Sequence, residues 1–273
     1  IKLRDGIELK ARISEKGCNK WLIVTHGLGE HSGRHEYMYD LFSQYYNICI
    51  YDLRGHGESG GKPAYVESYR DYVRDLDEVV HYLKEQFAMS NYVLFGHSMG
   101  GLITASYVQN EVSKELYPKK VFLSSPAVAG SSLLGQAFKH APNKILLGLK
   151  TLPLSIPLAG LLDLSGLSHD PRVYETYITD DKNHLKVHSK LFFELLAEAK
   201  QVFSRPLRVS CDLYCSIGLS DKLVDPPSVI NYFSQVEKNA QLFKLEGGYH
   251  ELHNEITKFR EPYFKFLKDS LLN

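Results

Sequence analysis

The chain has 273 residues, 44% hydrophobic and 23% charged, with 32 basic side chains against 32 acidic ones. That length suits one large α/β domain, or a core domain with an insert. The zero net charge argues against nucleic acid or an anionic membrane surface as partner. No stretch is both long and apolar enough to span a bilayer; the uncharged run from Val121 to Phe138 is broken by Pro126 and diluted by serines. Cys49 and Cys215 sit in strand-like runs and read as packed thiols, and Cys211-x-x-x-Cys215 lacks zinc spacing and a second pair. No metal is expected, and a reducing, cytoplasmic compartment is the default.

In chain order, Ile1 to Ile13 alternates around Asp5-Gly6, a hairpin signal. Trp21-Leu22-Ile23-Val24 is an apolar strand that runs into Thr25-His26-Gly27-Leu28-Gly29-Glu30-His31-Ser32-Gly33-Arg34. A helix is expected over Arg34 to Tyr46, then a buried strand Ile48-Cys49-Ile50-Tyr51 ending in Asp52-Leu53-Arg54-Gly55-His56-Gly57. Ser68-x-x-Asp71 reads as a capping box, opening a helix with Tyr69, Tyr72, Val73, Leu76, Val80, Leu83 and Phe87 on one face. Strand Tyr92–Phe95, a helix from Leu102, and strand Lys120–Pro126 follow. Strands apolar throughout, alternating with helices, imply a mainly parallel sheet covered on both faces. In such sheets the ligand site lies beyond the carboxyl ends of the strands, where His26, Asp52, Ser98 and Ser125 fall.

The rhythm breaks from Ala127 to Pro206, a leucine-rich stretch with scattered prolines and a helix expected over Leu185 to Phe203. The division expected is therefore a core of residues 1–126 and 207–273 with a cap of residues 127–206 over the site. Within the cap, Ile145 to Leu162 reads as an apolar lip over the site. Sheet rhythm returns at Leu213–Ile217 and Gln241–Leu245, with a helix over Val229 to Val236 between them and a last helix from near Pro262.

Gly96-His97-Ser98-Met99-Gly100 lies between a strand and a helix, the context in which Gly-x-Ser-x-Gly forms a nucleophile elbow. A second match, Gly57-Glu58-Ser59-Gly60-Gly61, runs into Lys62-Pro63, which opens no helix, and reads as a loop. A serine hydroxyl needs a base within reach, and the base needs an orienting carboxylate. In this fold the order is Ser, Asp, His, and the chain offers Ser98, Asp221 and His250 in that order, each just past a strand. Asp225 is the rival carboxylate and His253 the rival base; both lie further from their strand ends. By position, the oxyanion donors are the N–H groups of Met99 and Leu28.

These segments, with Asp52-x-x-Gly55-His56-Gly57-x-Ser59 and Glu246-Gly247-Gly248-Tyr249-His250-x-x-His253, resemble the α/β-hydrolases of the monoacylglycerol lipase and lysophospholipase group. The resemblance spans most of the chain outside the cap. It implies an α/β-hydrolase fold, a helical cap over an acyl tunnel, and a small polar pocket lined or braced by Glu30, Arg34 and His253, with Tyr177 reaching in from the cap. An ion pair that braces the loop is an equal alternative for Glu30 and Arg34. Leu28 departs from the Ala often found there. The activity implied is hydrolysis of monoacylglycerols or similar single-chain lipid esters through an acyl-serine intermediate, without metal or organic cofactor. The substrate would be the partner, with peripheral membrane contact through the cap. The alternatives are a lysophospholipase or broad carboxylesterase, a peptidase or amidase, and a non-catalytic binding module.

Overall fold

The computed structural model describes residues 1–151, 155–161 and 163–273. In chain order the first half runs β1 (Ala11–Ser14), β2 (Lys20–Thr25), a 3₁₀ turn (Ser32–His35), α1 (Tyr37–Phe42), β3 (Asn47–Tyr51), α2 (Tyr69–Phe87), β4 (Asn91–His97), α3 (Met99–Asn110) and β5 (Lys120–Ser124). Then come α4 (Leu133–His140), α5 (Asn143–Lys150), β6 (Pro157–Ala159), α6 (Pro171–Thr179), β7 (Lys186–His188) and α7 (Ser189–Val202). The chain closes with β8 (Asp212–Gly218), α8 (Pro226–Asn231), β9 (Gln241–Leu245) and α9 (Thr257–Leu272).

Seven strands form one sheet in the order β1-β3-β2-β4-β5-β8-β9. β1 is antiparallel to β3, with Ala11 opposite Tyr51, and the remaining neighbours are parallel. The apolar runs explain this. In β2, Leu22 and Val24 join one core beneath α1 and α9, with Met38, Phe42, Tyr263 and Leu267. Trp21 and Ile23 join the opposite core, with Tyr72 and Leu76 of α2 and Leu102 and Ile103 of α3. A strand buried on both faces needs apolar residues at every position, and β3 is buried at all of its positions. α3 is apolar nearly all round because it lies between the sheet and the helices α2 and α7.

The capping box is present. The Ser68 N–H donates to Asp71 Oδ2 at 3.1 Å, and the Arg70 N–H donates to Ser68 Oγ at 3.4 Å. Losing such a cap costs about 1 kcal/mol. Other boundaries differ from the sequence expectation. The helix expected over Arg34 to Tyr46 is the 3₁₀ turn followed by the short α1, and α8 passes into a π turn over Tyr232–Val236. α9 begins at Thr257 and carries Pro262 inside it. The Ile256 carbonyl accepts from the N–H groups of Phe259 and Arg260, at 2.9 and 3.0 Å, so the first turn closes before the proline is reached. The helix expected from Leu185 starts at Ser189, because Lys186–His188 pairs with Pro157–Ala159 as an antiparallel ribbon.

Between β5 and β8 the described residues add no strand to the main sheet. Their ribbon and α6 sit over its carboxyl end. The His184 N–H donates to the Gly29 carbonyl at 2.8 Å, and the Glu251 N–H donates to the Leu167 carbonyl at 2.8 Å. α7 runs back down the flank against α2 and α3, with Glu194 accepting from the Tyr69 N–H at 3.1 Å and Glu198 accepting from Ser106 Oγ at 2.5 Å. Of the lip expected over Ile145 to Leu162, residues 152–154 and 162 lie outside the described residues. Ile145 and Ile156 are exposed, as are Tyr174, Ile178 and Leu185 elsewhere in the same stretch. No helix among the described residues is long and apolar enough to cross a membrane.

Candidate active site

β4 ends at His97 and α3 begins at Met99, which leaves Ser98 alone to make the turn. Its backbone stands at φ 54° and ψ −117°, a region whose cost, about 1–3 kcal/mol, must be met by its surroundings. Three backbone bonds hold it. The Ser98 N–H donates to the Ser124 carbonyl at 2.9 Å, and its carbonyl accepts from Ala127 at 3.1 Å and Leu102 at 3.2 Å. Glycine is required on either side, since a Cβ on Gly96 would collide with the Gly100 carbonyl and one on Gly100 with the carbonyls of Thr25 and His26.

The turn aims Ser98 Oγ at His250, whose Nε2 lies 3.0 Å away. His250 Nδ1 lies 2.7 Å from Asp221 Oδ2. The other carboxylate oxygen, Oδ1, accepts from the N–H groups of Leu223 and Val224 at 2.8 and 2.9 Å. An ionised carboxylate only accepts, so Nδ1 donates, Nε2 of the neutral ring accepts, and the Ser98 hydroxyl donates. Burial pulls the His250 pKa down, but Asp221, with Glu251 and Glu30 beside it, outweighs this and the net shift is upward. Ser125 Oγ donates to the His250 carbonyl at 3.0 Å and ties the histidine loop to the end of β5.

Asp225, the rival carboxylate, caps α8 by accepting from the Ser228 N–H at 3.1 Å and pairs with Lys139 at 3.1 Å. It does not face His250. The second motif copy is likewise committed elsewhere: Ser59 Oγ donates to the Asp52 carbonyl at 2.6 Å and accepts from the Lys10 N–H at 2.8 Å. His26 is a framing residue. Its Nδ1 donates to the Gly27 carbonyl at 2.8 Å and its Nε2 accepts from the Leu53 N–H at 2.9 Å, which fixes a neutral tautomer and shapes the loop carrying Leu28. Asp52 shapes the same region by accepting from Ser32 at 2.7 Å and Glu58 at 2.9 Å. Burial pushes His56 down to about 3, so it stays neutral.

A cavity of about 250 Å³ opens above Ser98. Leu28 and Met99 line it beside Ser98 and His250. One wall is apolar, built from Phe192, Leu195, Leu196 and Ala199 of α7. A polar part of the lining holds Glu30, Glu251, His97 and Tyr177. Glu30 Oε1 accepts from the Gly27 N–H at 2.5 Å and lies 3.2 Å from His35 Nε2, while its Oε2 accepts from Arg34 Nε at 3.2 Å. Burial opposes the charge on Glu30, but His35 and Arg34 beside it hold its carboxyl well below the usual range.

Arg34 is not among the residues lining the cavity. It stands behind Glu30, donates to Glu251 Oε2 at 2.5 Å, and packs 4.7 Å from the centre of the Tyr177 ring. His253 also lies behind the wall, stacked 4.9 Å from Tyr37 and tilted against His35 at 5.0 Å. Neither of its ring nitrogens has a hydrogen-bond partner among the described residues, and burial keeps it neutral, its pKa well below the ordinary value. The structure thus gathers Glu30 and Tyr177 at the cavity and sets Arg34 and His253 as their backing. Sequence reasoning missed Glu251, which lines the cavity and pairs with Arg34. Its only signal was adjacency to His250.

Fold and geometry together define an α/β-hydrolase of the lipase and esterase kind. The chain belongs to the Hydrolase_4 family, described as serine aminopeptidase, S33, whose profile matches residues 18–257. Monoglyceride lipase of Homo sapiens is 28% identical over 91% of this chain and 81% of its own length. An uncharacterised abhydrolase domain-containing protein of Dictyostelium discoideum is 28% identical over 92% of this chain, which spans only 26% of that protein. Among solved structures, monoacylglycerol lipase of Paleococcus ferrophilus is similar with a TM-score of 0.80 at 24% identity, covering 96% of this chain and 99% of that one.

Proposed function

We propose that the protein is a serine esterase that releases a fatty acid from monoacylglycerols or similar single-chain lipid esters. The observation that carries this reading is the hydrogen-bonded series Ser98–His250–Asp221 at the floor of a cavity with one apolar and one polar wall. The acyl chain would lie along α7, and the alcohol would face Glu30, Glu251 and Tyr177.

Ser98 Oγ attacks the ester carbonyl while His250 Nε2 takes its proton, and the imidazolium is stabilised by Asp221. The tetrahedral oxyanion is held by the N–H groups of Leu28 and Met99, and α3 adds the positive end of its dipole. His250 then protonates the leaving alcohol. Water, deprotonated by the same imidazole, attacks the acyl-serine and returns the enzyme with free fatty acid. In this reading residues 127–206 act as a cap that supplies the chain-binding wall and shields the acyl-enzyme.

Similarity to a monoglyceride lipase supports the glycerol ester as substrate, and a lysophospholipase is the nearest alternative. A peptidase would instead hold a substrate amine against Glu30 and Glu251, but the leucine-lined wall suits a plain acyl chain better. The test is fatty-acid release from 1-lauroylglycerol, compared with cleavage of leucine p-nitroanilide. Hydrolysis of the ester with negligible cleavage of the anilide is expected; the reverse preference would overturn the assignment.

A further inference from the structure

The polar wall carries an uneven count of charges. Glu30 and Glu251 both line the cavity, and both are almost fully buried, at 3% and 2% exposed. A single guanidinium, Arg34, serves both, at 3.2 Å from Glu30 Oε2 and 2.5 Å from Glu251 Oε2. Among the described residues, the other charged ones that line the cavity, Asp163 and Lys222, are opposite in sign. His35 Nε2 lies 3.2 Å from Glu30 Oε1, and the His97 ring packs 5.7 Å from His35 and 5.0 Å from His250. Both carboxylates stand close enough to His250 to favour its protonated form.

We propose that this pair of carboxylates, sharing one guanidinium, is a specificity device, which admits esters of neutral and cationic alcohols and rejects esters whose alcohol carries an anion. The proposal rests on the reading that the leaving alcohol faces this wall. It narrows the substrate class to glycerol-like and amine-bearing alcohols, and it sets phosphate-bearing single-chain lipids without a balancing cation outside it. The physical basis is that a second negative charge brought within several ångströms of a buried one is repelled far more strongly than in water. Neither carboxylate can escape by rotating away, because Glu30 is held by the Gly27 N–H and Glu251 by Asn254 Nδ2, at 2.5 and 2.7 Å.

Glu251→Gln isolates the charge. Arg34 and Asn254 both donate to Oε2 of Glu251, so a glutamine carbonyl oxygen placed there keeps both bonds and removes only the charge.

The experiment uses three esters with the same acyl group: 1-octanoylglycerol, octanoylcholine and 1-octanoylglycerol 3-phosphate, each below its micelle concentration. All three esters are assayed in the same buffer at the same pH. For the wild-type protein, kcat/KM for the phosphate ester should fall roughly tenfold or more below that for the glycerol ester, with the choline ester at least equal to the latter. In Glu251→Gln the neutral-to-anionic ratio should collapse several-fold. Raising salt should move the wild-type ratio little, because charges buried this deeply are screened far less than exposed ones. Equal rates on the glycerol and phosphate esters would overturn the proposal. So would a ratio unmoved by Glu251→Gln in a folded, active protein. Failure to turn over even 1-octanoylglycerol would instead strike the functional reading itself, and this inference with it.

Discussion

The chain contains the pattern Gly-x-Ser-x-Gly at Ser59 and again at Ser98, and the two copies are built for different ends. Around Ser59 the glycines let a loop fold back on itself, and the hydroxyl is consumed locally, donating to the Asp52 carbonyl and accepting from the Lys10 N–H. Around Ser98 the glycines let a strand and a helix close on a strained residue. Its backbone bonds are satisfied by the neighbouring strand end, and its hydroxyl is left facing His250. The difference teaches that the motif acts through what flanks it. A parallel strand before it and a buried helix after it convert a serine into a candidate nucleophile, and a loop converts the same pattern into a brace.

The sharpest way to break this comparison is to remove each hydroxyl. Ser98→Ala should lose on the order of 10⁴-fold or more in kcat while remaining folded, because triad members act as a unit. The check is ester turnover beside a thermal melt. Next, Asp221→Asn should lose about 10⁴-fold by favouring the wrong imidazole tautomer. Asp225→Asn should barely register, since asparagine caps a helix about as well as aspartate. A reversal of that ranking in kcat/KM would reassign the carboxylate.

A smaller effect follows from protonation. His250 works as a base only when neutral, and its pKa is raised, burial pulling it down and Asp221 pushing it further up. Activity should therefore fall as the pH drops, with a midpoint above the ~6.5 of an ordinary histidine and about a tenfold loss per unit below it. Replacing Asp221 with Asn should move that midpoint down; a midpoint below 6 in the wild-type protein (~6.5 less half a unit) would contradict the wiring. Smaller again, Leu196→Ser on the apolar wall should flatten the rise in kcat/KM with acyl length. That rise should be up to about fourfold per methylene, since each buried CH₂ contributes about 0.8 kcal/mol. Rates on acetate esters should stay nearly constant, and parallel chain-length curves for the two proteins would remove Leu196 from the chain-binding wall. The smallest effect belongs to Ser59→Ala. It should leave kcat/KM within about twofold and lower the melting temperature by about 2–4 °C for a loss near 1 kcal/mol.

What could be read from the sequence follows from how local the signals are. The strands of the main sheet are short apolar runs, and the elbow and triad sit just past strand ends, so pattern and order are enough to find them. The Ser68–Asp71 cap is likewise a local signal. The ribbon of β6 and β7 depends on pairing between segments far apart, and no periodicity over Leu185–His188 reports it. The start of α9 was hidden because a proline usually marks a first turn, whereas here Ile256 closes that turn earlier. Glu251 was illegible for the same reason. Its role comes from Arg34, a residue of the first loop, reaching across the sheet end to meet it. The backing positions of Arg34 and His253 also depend on that three-dimensional closure.

The claim on which the rest depends is that Ser98, and not its motif twin, is the activated hydroxyl. Treatment with a fluorophosphonate followed by peptide mass spectrometry tests it directly, because only a hydroxyl deprotonated by a neighbouring base reacts at an appreciable rate. The account predicts stoichiometric modification of the peptide carrying Ser98, none at Ser59, and loss of labelling in the Asp221→Asn protein in step with its activity. Modification at Ser59, or an unlabelled Ser98 in a folded and active protein, would contradict it.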